Sequence, residues 1–127
     1  IYFPSSINDN FFKLINYNPL GNILILHNPN RNLYFWKTIN LFIENEGNSD
    51  TFFYILIHPK TLNKDKSKFI NIFKSNKNFK HIIFSTLPKI IKDENKIEIS
   101  FCYSLASSLD FILYRKKIPV ASPLLFY

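Results

Sequence analysis

Six consecutive apolar residues, Phe52-Phe53-Tyr54-Ile55-Leu56-Ile57, end abruptly at His58-Pro59 and leave no position of the run polar. Successive side chains of a strand point to opposite faces, so a strand of this composition must be covered on both sides. In a chain of 127 residues the cover that fits is helices packed on both faces of a mostly parallel sheet. Other segments repeat the scheme. Asn22-Ile23-Leu24-Ile25-Leu26-His27 is a β-branched run bounded by Gly21 and by Asn28-Pro29. Asn30 is placed to cap a helix from Arg31 to about Asn45, in which Leu33, Trp36, Ile39, Phe42 and Ile43 share one side. A second helix is predicted from Lys64 to Asn76 with Phe69, Ile72 and Phe73 inward, followed by a strand over Lys80 to Phe84 and a basic segment around Pro88. A strand from Ile97 to Cys102, a helix with Leu105, Leu109, Ile112 and Leu113 on one face, and a strand start at Ile118-Pro119-Val120 complete the pattern. Strands alternating with helices predict a single compact α/β domain, Rossmann-like, over residues 22–127. Residues 1–21, with Pro4, Pro19 and Gly21, read as an irregular N-terminal arm holding one helical turn.

Charge is distributed unevenly. Nine of the lysines fall between Lys60 and Lys92, with Asp65 as the only acid among them, whereas the first fifty residues sum to −1 and the whole chain to +7. A basic cluster of this kind attracts polyanions, and RNA is the partner it points to. Lysine outnumbers arginine 14 to two, and isoleucine, asparagine and phenylalanine are abundant, as expected from an AT-rich gene. Such a gene inflates the number of lysines, so their clustering carries the argument. Lys60, Lys64, Lys66, Lys68, Lys74 and Lys77 are the candidate phosphate contacts. Arg115, Lys116 and Lys117 either add to them or complement the negative end of the last helix. Phe69, Phe73 and Phe79 lie near the cluster; at helical spacing Phe69 and Phe73 are expected in the core rather than against bases.

Catalytic signatures are missing. In an open parallel sheet the working surface lies beyond the carboxyl ends of the strands, here the loops after His27, Ile57, Phe84 and Cys102. With Gly21 and Gly47 the only glycines, neither a dinucleotide fingerprint nor a phosphate-cradling loop can be built. His27, His58 and His81 match no ligand spacing and are expected as strand-end histidines, so no metal or other cofactor is predicted. Asp93 and Glu94 read as a solvated acidic turn, and Ser104, Ser107 and Ser108 as helix-capping serines with no nucleophile elbow around them. Cys102, the only cysteine, sits in an apolar run and is expected buried and inert. No apolar segment reaches membrane-spanning length. With no methionine and isoleucine first, the chain is expected to be a processed or trimmed product.

From Asn22 onward the order of elements resembles the S-two family of bacterial-type small-subunit ribosomal proteins. Lys60 after the apolar strand falls where that family carries the lysine of a Gly-Thr-Lys turn, and Ile118-Pro119-Val120 matches its Ile-Pro-Val in the closing βαβ unit, Asn95 to Phe126. His58-Pro59 stands in place of the glycine and threonine, and the family's mid-domain helical hairpin has no room between Phe84 and Ile97. The resemblance implies a shortened organellar member in the mitochondrion or another organelle with an AT-rich genome. It further implies a structural protein that holds ribosomal RNA and neighbouring small-subunit proteins, with no catalysis, no cofactor and no small-molecule substrate. The alternative from another class is a non-catalytic Rossmann-like accessory subunit of a different organellar complex. Phe and Tyr at 21 positions motivate it, since exposed aromatics favour protein interfaces.

Overall fold

A computed structural model describes residues 6–27, 33–46, 50–59, 61–104 and 109–121. Asn30, Lys60, Leu105, Ser107 and Ser108 lie outside the described residues. The described chain runs α1 (Ser6–Leu14), β1 (Ile15–Leu26), α2 (Leu33–Glu46), β2 (Phe53–Leu56), α3 (Asn63–Asn71), β3 (Ile82–Ser85), α4 (Leu87–Asp93), β4 (Ile97–Tyr103), α5 (Asp110–Arg115) and β5 (Val120–Ala121). All strand pairings are parallel, in the order β3-β2-β1-β4-β5. The α/β architecture read from the sequence is therefore present, and its central strand is β1.

Period-two alternation divides the core. Ile23 and Ile25 of β1 and Phe53 and Ile55 of β2 pack with Phe35, Trp36, Ile39 and Ile43 of α2 and Phe69 of α3. Leu24, Leu26, Tyr54 and Leu56 face the other way, onto Phe11 and Leu14 of α1, Ile90 of α4, and Ile112 and Leu113 of α5. Helices α2 and α3 cover one face, and α1, α4 and α5 the other. The chain moves from β1 outward to β2 and β3, then returns past β1 to β4 and β5, so its direction reverses between β1 and β4.

Three expectations need correction. The arm is not irregular between residues 6 and 21: α1 buries Phe11 and Leu14, and β1 begins at Ile15. Pro19 and Gly21, read as loop residues, lie in a bulge inside the strand. Tyr17 and Asn22 both align with Ile99 of β4, so Asn18 to Gly21 bow out of the ladder. The bulge is held by hydrogen bonds. Asn18 Nδ2 donates to the Glu98 carboxylate, the Leu20 N–H donates to Asn18 Oδ1 at 2.9 Å, and Ser100 Oγ donates to the Gly21 carbonyl at 3.1 Å. Second, the loop expected after Phe84 gives way at once to helix α4, with Thr86 as N-cap accepting from the Lys89 N–H at 3.3 Å and Pro88 in the first turn. Third, α3 stops at Asn71 and not Asn76, because the chain turns there to bring Asn76 into the core. Asn76 Nδ2 donates to Asn40 Oδ1 at 2.7 Å and to the Asn40 carbonyl at 3.0 Å, while its Oδ1 accepts from the Asn78 N–H at 2.8 Å. Asn78 Nδ2 donates to the Ile43 carbonyl at 2.8 Å, which completes the tie between the exit of α3 and α2.

Candidate functional site

The lysines of α3 are arranged by its apolar stripe. Phe69 is buried and rests edge-on against Trp36 at 4.8 Å between ring centres; Phe73 just beyond is fully buried. With that side inward, Lys64 and Lys68 are exposed and Lys66 flanks them half-buried. Lys74 and Lys77, in the turns that follow, and Lys80 before β3 are exposed as well. The helix spans about 13 Å at 1.5 Å per residue. It leads from the carboxyl edge of β2 to the amino edge of β3, so the cations line one flank of the domain. Lys89 and Lys92 are exposed on α4, across the sheet, and do not extend the row.

Arg115, Lys116 and Lys117 lie elsewhere again. They end α5, beside the opposite edge of the sheet from α3. Four strand spacings of about 4.8 Å separate the two edge strands, roughly 19 Å. The end of α5 is a Schellman closure: the Ile118 N–H donates to the Leu113 carbonyl at 3.0 Å and the Lys117 N–H to the Tyr114 carbonyl at 3.0 Å. Lys117 adopts φ 59 there, the left-handed conformation that glycine usually supplies. Arg115 and Lys116 fold back over aromatic rings. The guanidinium carbon is 4.9 Å from the centre of Phe12 and 5.9 Å from that of Phe111, and Lys116 Nζ is 4.2 Å from Phe12. The eight described candidate cations thus form two separate groups, and Lys60 lies outside the described residues.

A third arrangement, unseen in the sequence as a unit, occupies the carboxyl edge. His27 follows β1 and His58 follows β2. The His58 N–H donates to His27 Nδ1 at 3.3 Å, which places the His27 proton on Nε2. The His27 ring lies 4.5 Å from Phe69 and 5.2 Å from Trp36, centre to centre. Burial, assisted by the charge of His58, pulls its pKa down to about 4, so the ring is neutral near pH 7. Thr61 follows, its N–H donating to the His58 carbonyl at 3.0 Å, and its Oγ1 is buried with no hydrogen-bond partner among the described residues. Beside it α3 begins at Asn63, and its N-cap residue, Leu62, gives the helix no side-chain cap. At the same edge, between β1 and β4, Leu26, Trp36, Tyr103 and Ser104 border a shallow apolar seam with no room for a water molecule. Ser104 is buried and its hydroxyl donates to the Asp110 carboxylate in the first turn of α5; the N-cap position of that helix is Leu109, so Ser104 is not its capping residue.

The remaining chemistry-bearing residues are dispersed. His81 sits before β3, at the amino edge, against Phe52 at 5.3 Å. Cys102 is fully buried, and burial, then the Asp110 charge, pushes its thiol well above the ordinary range. Asp93 ends α4 and Glu94 caps it. Among the described residues, no group of three or more His, Cys, Asp or Glu could hold a metal ion, and no helix is long and apolar enough to cross a membrane. The pairing of His27 with His58 spans two strands, and only the equal position of the two residues one step past an apolar run hinted at it. No family model, curated protein or solved structure matches this chain.

Proposed function

We propose that this domain is a non-catalytic RNA-binding protein, a structural component of the small subunit of an organellar, mitochondrial ribosome. Its principal contact with ribosomal RNA is the cation row of Lys64, Lys66, Lys68, Lys74 and Lys77, with Lys60, outside the described residues, as a further candidate. One observation carries the reading: α3 buries Phe69 and turns its lysines outward, with a single acid, Asp65, in the helix. Exposed cations set along one flank are the footprint of phosphate contact. The organellar setting rests on the AT-rich composition and on the resemblance of the strand and helix order to S-two. The test is sedimentation of an organellar extract at low and high salt, with wild type compared against a Lys64→Glu, Lys68→Glu, Lys74→Glu variant. Wild-type protein should travel with small-subunit RNA until high salt strips it, and the variant should not. Migration with an RNA-free complex would replace this reading with the accessory-subunit one.

A second reading is favoured by the strand order. A sheet ordered 3-2-1-4-5 gathers ligands outside its carboxyl ends near the point of reversal, and here that edge carries His27, His58, Thr61 and Ser104. A small polar ligand with an anionic group would suit the uncapped start of α3. The seam is too tight to admit even a water molecule, whereas an ordinary ligand pocket holds roughly 300 Å³, which ranks this reading below the first. Thermal unfolding with a panel of nucleotides decides it. A rise of the midpoint that His58→Ala removes would support a ligand site, and no rise with any nucleotide would reject one.

A further inference from the structure

We propose that the end of α5, with α1 beside it, is a second and chemically different RNA contact: a stacking platform for unpaired nucleotides. The inference rests on the RNA-binding reading for its class of partner, but on none of the α3 lysines. Phe111, Tyr114 and Arg115 are three and four residues apart and so share a helix face. Tyr114 is 81% exposed and Phe111 58%, a large aromatic surface for a soluble helix to leave in water. The Arg115 guanidinium lies over the rings of Phe12 and Phe111, and Lys116 Nζ lies over Phe12. These cations are oriented before any partner arrives, so less side-chain entropy is lost on binding.

Charge selects the occupant. Lys13 and Arg115 line the groove between α1 and α5 with Asp9 as the opposing acid, Lys116 Nζ lies over Phe12, Lys117 borders a hollow with Tyr114, and Asp110 in that hollow is engaged by Ser104. An apolar protein segment would meet these cations at a desolvation cost. An unpaired nucleotide instead places its base on Tyr114 and its phosphate against Lys117 or Arg115. Tyr114 and Arg115 also border the hollow that runs past Pro119 and Val120 to the edge strand, which gives the flipped base a second wall. A duplex keeps its bases stacked and gains nothing from the ring. The platform and the α3 row face different sides of the sheet, so the domain would bridge a paired and an unpaired stretch of RNA.

Binding of the full chain to a labelled single-stranded oligouridylate and to an RNA duplex of equal length separates the two surfaces. Tyr114→Ala should weaken single-strand binding roughly 5- to 150-fold, the worth of one stacked base, leave duplex binding unchanged, and keep the salt dependence. Tyr114→Phe should restore it. Unchanged single-strand affinity in Tyr114→Ala overturns the platform while leaving the α3 reading intact. Equal loss on both RNAs overturns it too, as does tighter binding of an acidic protein than of the oligouridylate at this face. Loss confined to Lys64→Glu, Lys68→Glu would uphold the α3 row alone. Single-strand loss in Tyr114→Ala with the α3 variant silent would uphold the platform alone.

Discussion

At the scale of single residues, His27 shows how one side chain links β1, β2 and the helical layer. Its backbone N–H donates to the Leu56 carbonyl at 3.0 Å, its ring accepts from His58, and its faces meet Trp36 and Phe69. Protonating Nδ1 would remove the acceptor and put charge against aromatic rings in a desolvated place. The folded pKa, about 4, lies below the unfolded value of 6.5, so between those limits the unfolded chain binds more protons. Stability from this residue is complete above pH 6.5 and is lost as pH falls toward 4. The amount is about 1–2 kcal/mol once the ring's partial contact with solvent is discounted. Urea unfolding at pH 7.5 and pH 4.5 should show a larger acid loss in wild type than in His27→Gln. Parallel losses in the two proteins would assign the acid sensitivity to other groups.

At the scale of elements, β1 is a strand interrupted by design of its own sequence. Asn18 to Gly21 leave the ladder, Leu20 at the tip is 93% exposed, and Gly21 permits the close return. A Cβ on Gly21 would stand 2.6 Å from the Glu98 carbonyl oxygen and 3.0 Å from that of Asn18, both backbone atoms that cannot swing aside. Gly21→Ala should therefore destabilise the domain by about 1–3 kcal/mol, the usual range for overpacking, measured as a lower urea midpoint. An unchanged midpoint would mean that β1 and β4 separate there without penalty. The same bulge explains what the sequence left illegible. Proline and glycine mark a turn locally, and only the partner strand distinguishes a loop from a bulge. Thr86 and Pro88 together start helix α4 just beyond Phe84, where a loop is expected. The central strands and the inward stripe Phe69, Phe73 were legible because two-residue and helical periods follow directly from burial. The separation of Arg115 to Lys117 from α3 was not, because it depends on strand order, which no local pattern encodes.

At the scale of the molecule, the two cation groups set what binding should look like. Phosphate contacts release counterions, and log affinity falls against log salt with a slope of about −0.9 for each duplex phosphate and −0.7 for each single-strand phosphate. The described α3 row supplies five lysines: 64, 66, 68, 74 and 77. If each meets a phosphate, duplex RNA binding should show a slope of about −4.5, and single-strand binding about −3.5. A contiguous surface that included the α5 end would add three more and bring the duplex slope to about −7. The rigid sheet forbids that on one short duplex, because the groups lie on opposite faces near opposite edges, about 19 Å apart along the sheet. Titrating a ten-base-pair RNA between 50 and 300 mM salt reads the number directly. Lys64→Ala, Lys68→Ala and Lys74→Ala together should reduce the slope by about 2.7, whereas Lys116→Ala should leave it unmoved. A slope near zero would remove RNA from the account of this domain and leave its carboxyl edge as the surface to pursue. A slope near −7 would mean that the duplex reaches around the sheet edge, which the parallel order β3-β2-β1-β4-β5 makes a test of the bridging geometry as well as of charge.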